Sequence, residues 1–491
     1  MTFNLFEFLN EDHIRRMHYL EWRLRKYCMY YFSNYFTFET PEFHKRVYKA
    51  LAAEKNIYFE WFRNSAKTTI LQMYVNHCIA TRNRRNIMWY WATTDPAEEN
   101  LTYIANALIG DDEQSKRFVD DYWQLYYEEV SGKYQDKKTK GKNKFITENE
   151  IYVRAMGLGT SPRGKNYVAS DGKHRPDLVI LDDIDILWKV RTKRTIDKSR
   201  EFILNEVFWG TSSHTQIVFL GNTIYEDGVS VRLREHVKND KNWVIIRQPI
   251  YDKEWKIVWD RFVETDAEAM EKNDGILNPH RRFISLESER RRLGTISFGQ
   301  NYLLIPYVRG MVIVQRHLIN KLDCKNFYFD KIRIGLDTAI SKKQESDRVA
   351  FTVTWYDKWK KYVCESVKLE WESKRMPNQI KLAKDLYEKR WKQTDNIMLN
   401  VETVAFQEVL ADYLKEEKLA VNTIKTHKDK VTRMLEYQWD FEAGNIFFNT
   451  TGCDELIEEL IAFPNWEYDD MVDSMMMSFN DDHDEWLMES A

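Results

Sequence analysis

Apolar residues recur along this chain with two periods that exchange places several times. Over residues 1 to about 50, aromatic positions alternate with charged ones at helical spacing (Tyr19, Trp22, Tyr27, Tyr30, Tyr31), which predicts amphipathic helices whose rings face a core. From Ile57 to Gln248 short β-branched and aromatic runs (IYFEWF, NIMWYWAT, EIYVRAM, DLVILDD, TQIVFLGN, WVIIRQP) alternate with helical segments such as Thr68 to Arg82 and Ala97 to Leu108. Strand and helix in alternation predict an α/β domain built on a mostly parallel sheet. A second pattern begins at Lys331. Three consecutive strand candidates, KIRIGLDTAI, RVAFTVTWYD and KYVCESVKLEW, lead into a helix from Gln379 to Lys392, the strand NIMLNVET and a helix from Ala405 to Glu417. That order predicts a separate three-layer domain.

The pattern divides the chain into an N-terminal helical segment (1–45), a first α/β domain (46–270), a mixed connecting region (271–325) and a second α/β domain (326–491). Within the first lies SGKYQDKKTKGKNK, residues 131–144, lysine-dense and nearly devoid of apolar side chains. It reads as a solvated loop, or as a contact with phosphates if the protein meets a nucleic acid.

Composition narrows the class. With 17 Gly and 9 Pro in 491 residues and 14% aromatic residues, collagenous, linker-like and disordered chains are excluded. The balance of 73 basic against 77 acidic residues excludes a basic nucleic-acid coat but not local basic patches. Five scattered cysteines without a C-x-x-C pair indicate neither a disulfide framework nor a zinc site and fit a reducing cytosol. The acidic N-terminus and the lack of a long apolar run predict an intracellular protein with no membrane partner.

Chemistry concentrates in two places. Arg63, Asn64, Ser65, Ala66, Lys67, Thr68 and Thr69 follow the strand IYFEWF and open a helix. Backbone N–H groups at a helix start favour an anion, a lysine reaches β and γ phosphates, and the Thr68 hydroxyl suits Mg²⁺. The glycines usual in such a loop are absent, Trp61 and Ala66 standing in their places. The strand DLVILDDID ends in Asp182, placed to hold Mg²⁺, and Asp183, placed to polarise the attacking water of a bound ATP. At the end of IVFLGNT, Asn222 and Thr223 are positioned to sense the γ-phosphate.

In the second domain Asp337 and Glu402 end strands, Asp469 and Asp470 open the helix YDDMVDSMMMSF, and Asp473 follows one turn later. Carboxylates converging on one sheet edge require cations, and two divalent metals would neutralise them and activate water on a phosphodiester. The run Met475 to Met477 reads as helix core.

The order of motifs resembles the large terminase subunit of tailed bacteriophages. In the motor domain of that family an arginine precedes the loop lysine by four residues, as Arg63 precedes Lys67. The stretch Arg175 to Asp183 matches R-P-D-L-hydrophobic-hydrophobic-L-D-D, Gly221 to Thr223 matches the coupling motif, Arg163 and Gly164 match a segment ahead of the second motif, and Phe43 and His44 fall where the adenine-contacting segment lies. Asp183 stands where many relatives carry Glu. The nuclease-domain matches are Asp337, Asp347, Glu402, the segment Asp429, Lys430, Arg433, the turn Phe441 to Gly444, Glu459 to Pro464, and Asp469 to Asp473.

The resemblance implies a P-loop NTPase of the ASCE type followed by a ribonuclease H-like nuclease. It implies ATP-driven translocation of double-stranded DNA into a procapsid and endonucleolytic cleavage of concatemeric DNA. Arg63 would stabilise the transferring phosphoryl, and Asp337, Glu402 and Asp470 would hold the nuclease metals, Mg²⁺ or Mn²⁺; which of Asp469, Asp470 and Asp473 ligates is left open, with Asp470 preferred. The lysine loop, Lys430 and Arg433 would touch DNA phosphates. Implied partners are the capsid portal protein, a small terminase subunit and further copies in a ring, in the host cytoplasm. The rival readings are a repair helicase fused to a nuclease and a non-catalytic scaffold with degenerate motifs.

Overall fold

The computed structural model describes residues 17–480 apart from 18, 22, 94, 110–112, 123–142, 186–192, 222–223, 278–281, 309–310, 325–328, 339–348, 359, 370–375, 392–393, 395, 403–406, 426–427 and 466–468. The expectations placed on Trp22, most of the lysine loop, Asn222, Thr223 and Asp347 therefore lie outside the described residues. The chain forms two compact units, one of residues 1–288 and 298–307, the other of residues 289–297 and 308–491. The stretch expected to be a connector, 271–325, is thus shared between them.

The first unit is built on seven strands: β1 (Asn56–Trp61), β2 (Asn86–Trp91), β3 (Lys144–Ile146), β4 (Tyr152–Gly157), β5 (Leu178–Leu181), β6 (Gln216–Gly221) and β7 (Trp243–Gln248). They lie in the order β3-β4-β2-β5-β6-β1-β7, every pair parallel except β3 with β4. The strands are almost continuously apolar, as strands covered on both faces must be, and Tyr58, Phe59, Trp89, Tyr90 and Phe219 are fully enclosed. One strand, β6, stands between the strand that leads into the phosphate loop and the strand that ends in Asp182.

Helices α1 (Leu24–Tyr31), α2 (Glu42–Ala52), α3 (Lys67–Thr81), α4 (Asp95–Asn106), α5 (Glu113–Tyr122), α6 (Lys193–Glu201) and α7 (Val229–Val237) accompany the sheet. The N-terminal aromatics behave as the period predicts. Tyr27 and Tyr31 of α1 are buried, their hydroxyls donating to Asn76 of α3 at 2.6 Å and to Asp121 of α5 at 2.5 Å. Helix α3 carries apolar residues on nearly every side, from Ile70 and Leu71 to Cys78 and Ile79, which is why it is enclosed rather than half-exposed.

The second unit holds β8 (Asn320–Leu322), β9 (Lys331–Thr338), β10 (Val349–Asp357), β11 (Lys360–Leu369), β12 (Ile397–Glu402), β13 (Val421–Ile424) and β14 (Ile446–Asn449), ordered β8-β14-β11-β10-β9-β12-β13. The run β9-β10-β11 is an antiparallel meander; the flanking pairs are parallel. Helices α8 (Met376–Trp391) and α9 (Gln407–Glu416) contribute Leu386, Leu410 and Leu414 to a core with Ile334, Leu336 and Leu399. Helices α10 (Lys430–Glu442), α11 (Asp454–Ala462) and α12 (Asp470–Ser478) bury Met434, Phe441, Leu456, Met471 and Met475 in another core cluster, making the third layer. Met475, Met476 and Met477 are core residues, as read from the sequence. All five cysteines are buried and unpaired, and among the described residues no helix is long and apolar enough to cross a membrane.

Candidate functional site

The loop from β1 to α3 solves its lack of glycine directly. Asn64 (φ 59°) and Ala66 (φ 63°, ψ 27°) both take left-handed backbone, the conformation glycine ordinarily supplies at a turn of this kind. Ser65 between them is buried, and its carbonyl accepts a 2.8 Å bond from Nε2 of His44 in α2. Burial lowers the His44 pKa to about 4, opposed by that bond, so the imidazole is neutral near pH 7. The main chain of Arg63 is tied down by its N–H donating to Asn301 O at 2.7 Å, while its side chain is exposed.

Lys67 opens α3, its Nζ donating to Trp61 O at 2.8 Å. Enclosure lowers its pKa, against the raising charges of Asp183, Asp182 and Glu60. Thr68 Oγ1 donates to Asp182 Oδ2 at 3.2 Å, across the strand that separates their parent strands. The second carboxylate oxygen of Asp182, Oδ1, is buried with no hydrogen-bond partner. Burial first, and then the charge of Asp183, raises the Asp182 pKa well above the usual carboxylate range, while Lys67 and Thr68 lower it. An orphaned buried carboxylate oxygen beside a threonine hydroxyl is a donor set that fits Mg²⁺. Asp183 follows in left-handed backbone (φ 44°).

Beside the loop lies a cavity of about 240 Å³ lined by Phe38, His44, Asn64, Ala66, Trp259 and Arg261. His44 is sandwiched between aromatic neighbours, 5.1 Å from the Trp61 ring and 5.0 Å from the Trp259 ring. A flat heterocycle fits such walls, and of these residues the sequence indicated His44, Asn64 and Ala66. Trp259 and Arg261 are distant in sequence and carry no local signal.

Sequence reasoning also missed Glu60. This fully buried carboxylate on β1 accepts from Arg234 of α7 at 2.8 Å and from Arg247 of β7 at 3.2 Å. A lone acid in the apolar run IYFEWF was the available clue. Asp185, likewise unassigned, caps α7 by accepting from Val229 N (3.1 Å) and Ser230 N (2.7 Å); burial raises its pKa to about 6. Gly221 ends β6 where a Cβ would meet the Tyr58 hydroxyl at 2.4 Å. Arg163 pairs with Glu206 at 3.2 Å on an exposed turn that continues through Gly164 (φ 72°).

The second cluster assembles at one end of the β9–β12 pair. Leu336 is in register with Val401, which sets Asp337 and Glu402 side by side. Helix α12 packs directly on β9 at Gly335, bringing Asp470 and Asp473 over the same sheet end. Burial, then the charges of Asp473, Asp470 and Glu402, raise the Asp337 pKa well above its ordinary value, with Lys430 opposing. Glu402 is raised too, by burial and by Asp473, against Arg433. Carboxylates pushed this way are short of positive charge, and their oxygen donors suit Mg²⁺ or Mn²⁺.

The two basic residues expected to contact DNA phosphates are turned instead into this cluster. Lys430 Nζ lies 2.6 Å from Asp469 Oδ1 and 2.5 Å from Asp473 Oδ2, and Arg433 Nη2 lies 2.6 Å from Asp473 Oδ1. The physical reason is the depth of Asp473, a buried charge that cannot stand unpaired. Among the described residues no three acids converge closely enough to enclose an ion by themselves. Glu459 supports the site from behind, accepting from Val472 N at 2.9 Å.

Residues 334–481 match the family model of the terminase RNaseH-like domain. No curated protein matches the chain. Its fold is similar to that of the large terminase from a thermophilic bacteriophage in complex with ADP (TM-score 0.53, 11% identity, covering 87% of this chain and 94% of that one). The same large terminase in complex with ATP-γ-S matches with a TM-score of 0.53 at 11% identity over the same shares of the two chains. Both units are therefore folded as in that class of protein.

Proposed function

We propose that this chain, a large terminase subunit by its nuclease-domain family and its two-unit fold, is the motor and nuclease of a viral DNA-packaging machine. The observation that carries the reading is the coexistence in one chain of the Lys67, Thr68 and Asp182 phosphate site with an RNase H-like sheet end bearing Asp337 and Glu402. Neither rival reading predicts a terminase nuclease domain.

In the first unit Lys67 and the N–H groups that open α3 bind the ATP phosphates, and the exposed Arg63 reaches the transferring phosphoryl. Asp183 orients and deprotonates the attacking water, Asn222 and Thr223 sense the γ-phosphate, and the His44 and Trp259 walls hold the base. Thr68 and Asp182 would hold Mg²⁺. In the second unit Asp337, Glu402 and Asp470 would supply oxygen donors to divalent metal, with water or a DNA phosphate completing its shell. Bound there, such an ion would lower the pKa of water and stabilise charge on a cleaved phosphodiester. Double-stranded DNA is the substrate of both activities, read through its backbone rather than its bases. A portal protein, a small terminase subunit and a ring of copies on the procapsid complete the proposal, in the host cytoplasm.

The test is a purified-protein assay of ATP turnover and Mn²⁺-dependent plasmid cleavage. Lys67→Ala abolishes turnover and keeps cleavage; Asp337→Ala does the reverse. A folded Lys67→Ala protein that loses both, or an Asp337→Ala protein that cuts normally, refutes the assignment of separate sites.

A further inference from the structure

We propose that His44 is a positioning residue of the phosphate site: its Nε2–H holds the Ser65 carbonyl, and that hold turns the N–H of Ala66 towards the phosphates of bound ATP. The inference rests on the nucleotide reading above and adds to it the side chain that sets the loop.

The loop runs through two left-handed residues, Asn64 and Ala66, with Ser65 between them. An alanine does not hold left-handed backbone by preference, so a contact from outside the loop must keep it there. The Ser65 side chain provides none, since its hydroxyl is buried without a hydrogen-bond partner. What the structure gives Ser65 is the 2.8 Å bond between its carbonyl oxygen and His44 Nε2. That bond has a fixed sense. A carbonyl oxygen only accepts, so Nε2 carries the proton, and burial keeps the ring neutral near pH 7. Its direction is fixed as well. The imidazole belongs to a residue only 6% exposed, and its centroid lies 4.4 Å from the Phe43 ring, 5.1 Å from Trp61 and 5.0 Å from Trp259. It cannot swing away without displacing an aromatic neighbour.

In a planar trans peptide the C=O and the N–H that follows it point in opposite directions. Pinning the Ser65 oxygen on His44 therefore aims the Ala66 N–H away from α2, and that N–H has no acceptor among the described residues. Ala66 directly precedes Lys67, the first residue of α3, so its N–H extends the row of main-chain donors that an anion meets at the helix start. Released from His44, the same peptide is free to turn over and present its carbonyl oxygen to the phosphates, a repulsive contact. The imidazole also walls the adjoining cavity, so one residue serves both as wall and as clamp.

The experiment measures the affinity of the full-length chain for ATP-γ-S and for inorganic tripolyphosphate, each with Mg²⁺, by titration calorimetry, weak tripolyphosphate binding being read from its displacement of ATP-γ-S. Only binding that Lys67→Ala removes is counted. Tripolyphosphate has no base, so it reports the clamp alone. His44→Phe keeps a ring and loses the donor, whereas His44→Gln loses the ring but can place an N–H where Nε2 lies. The expected result is that His44→Phe weakens both probes by about 10-fold and that His44→Gln restores tripolyphosphate to within about 3-fold of wild type. A His44→Phe protein that weakens ATP-γ-S alone, or neither probe, overturns the proposal, as does a His44→Gln protein that binds tripolyphosphate no better than His44→Phe. Should His44→Phe fail to fold by circular dichroism, His44→Asn, whose amide stops one bond short of the Ser65 oxygen, takes its place with the same outcomes. If the wild-type chain binds neither probe in a Lys67-dependent way, the nucleotide reading itself fails and the proposal with it.

Discussion

Gly335 of β9 offers the sharpest perturbation, because α12 rests on it. A Cβ at this position would lie 2.0 Å from Ser474 O, 2.3 Å from Ser478 N and 2.9 Å from Met477 C, all main-chain atoms that no rotamer change can move aside. Restoring ordinary contact requires α12 to retreat by about 1 Å or more, and forced overpacking of this sort costs roughly 1–3 kcal/mol. The retreat also stretches the bonds that dock the helix. Thr352 meets Ser474 at 2.6 Å, Thr354 meets Ser478 at 2.6 Å, Tyr356 donates to Ser478 O at 2.7 Å, and Asn400 donates to Met477 O at 2.9 Å. At about 1 kcal/mol for each weakened buried bond, Gly335→Ala loses on the order of 5 kcal/mol, comparable to the whole stability of many domains. Asp470 and Asp473 move away from Asp337 with the helix. The assay is urea unfolding followed by circular dichroism, together with Mn²⁺-dependent cleavage and ATP turnover of the same preparation. The second unit should unfold at much lower urea and cleavage should vanish, with turnover of the first unit retained as the internal control. A variant within about 1 kcal/mol of wild type that still cuts DNA would refute the claim that helix and strand are in main-chain contact here.

Two further outcomes follow from the first unit. Because Ala66 sits at φ 63°, Ala66→Gly should leave stability equal or higher, whereas Ala66→Val should lose about 2 kcal/mol, β-branched side chains being least tolerant of that region; equal melting curves for the two variants would contradict the loop conformation. His44 and His77 are each held by burial at a pKa of about 4, below the ordinary 6.5. A depressed folded-state pKa means that the unfolded chain takes up the proton first, so the stability these residues allow is complete above pH 6.5 and lost as pH falls towards 4, by about 1.4 kcal/mol per pH unit for each. His77→Gln should flatten that fall relative to wild type in the pH 6.5–4 window, and parallel curves would show that His77 is not held neutral.

Much of this was legible in the chain itself, for identifiable reasons. The strands leading into and out of the phosphate site are enclosed on both faces, and an unbroken apolar run such as NIMWYWAT or DLVILDD announces itself. Asp337 and Glu402 were found because each ends such a run. What escaped notice depends on distance in sequence. Arg234 and Arg247 converge on Glu60 from separate elements, Trp259 and Arg261 reach the cavity beside the β1–α3 loop from a loop about two hundred residues on, and no local pattern encodes either meeting. Lys430 and Arg433 were seen but turned the wrong way, since a basic pair on a helix start looks the same whether it faces solvent or a buried aspartate. Gly335 carried no signal, because a glycine required by a helix packed above a strand differs in no way, in sequence, from one that is merely tolerated.

The extra strand between β1 and β5 acts as a gauge block. It holds the lysine strand and the Asp182 strand two inter-strand spacings apart, about 9.5 Å, a width set by ladder hydrogen bonds and indifferent to side chains. Thr68 and Asp182 meet across that fixed span. The sheet therefore carries the tolerance of the site, and the loop need only keep its two left-handed turns. That division of labour lets a phosphate loop drift as far from glycine as Asn64 and Ala66 without altering the aperture it serves.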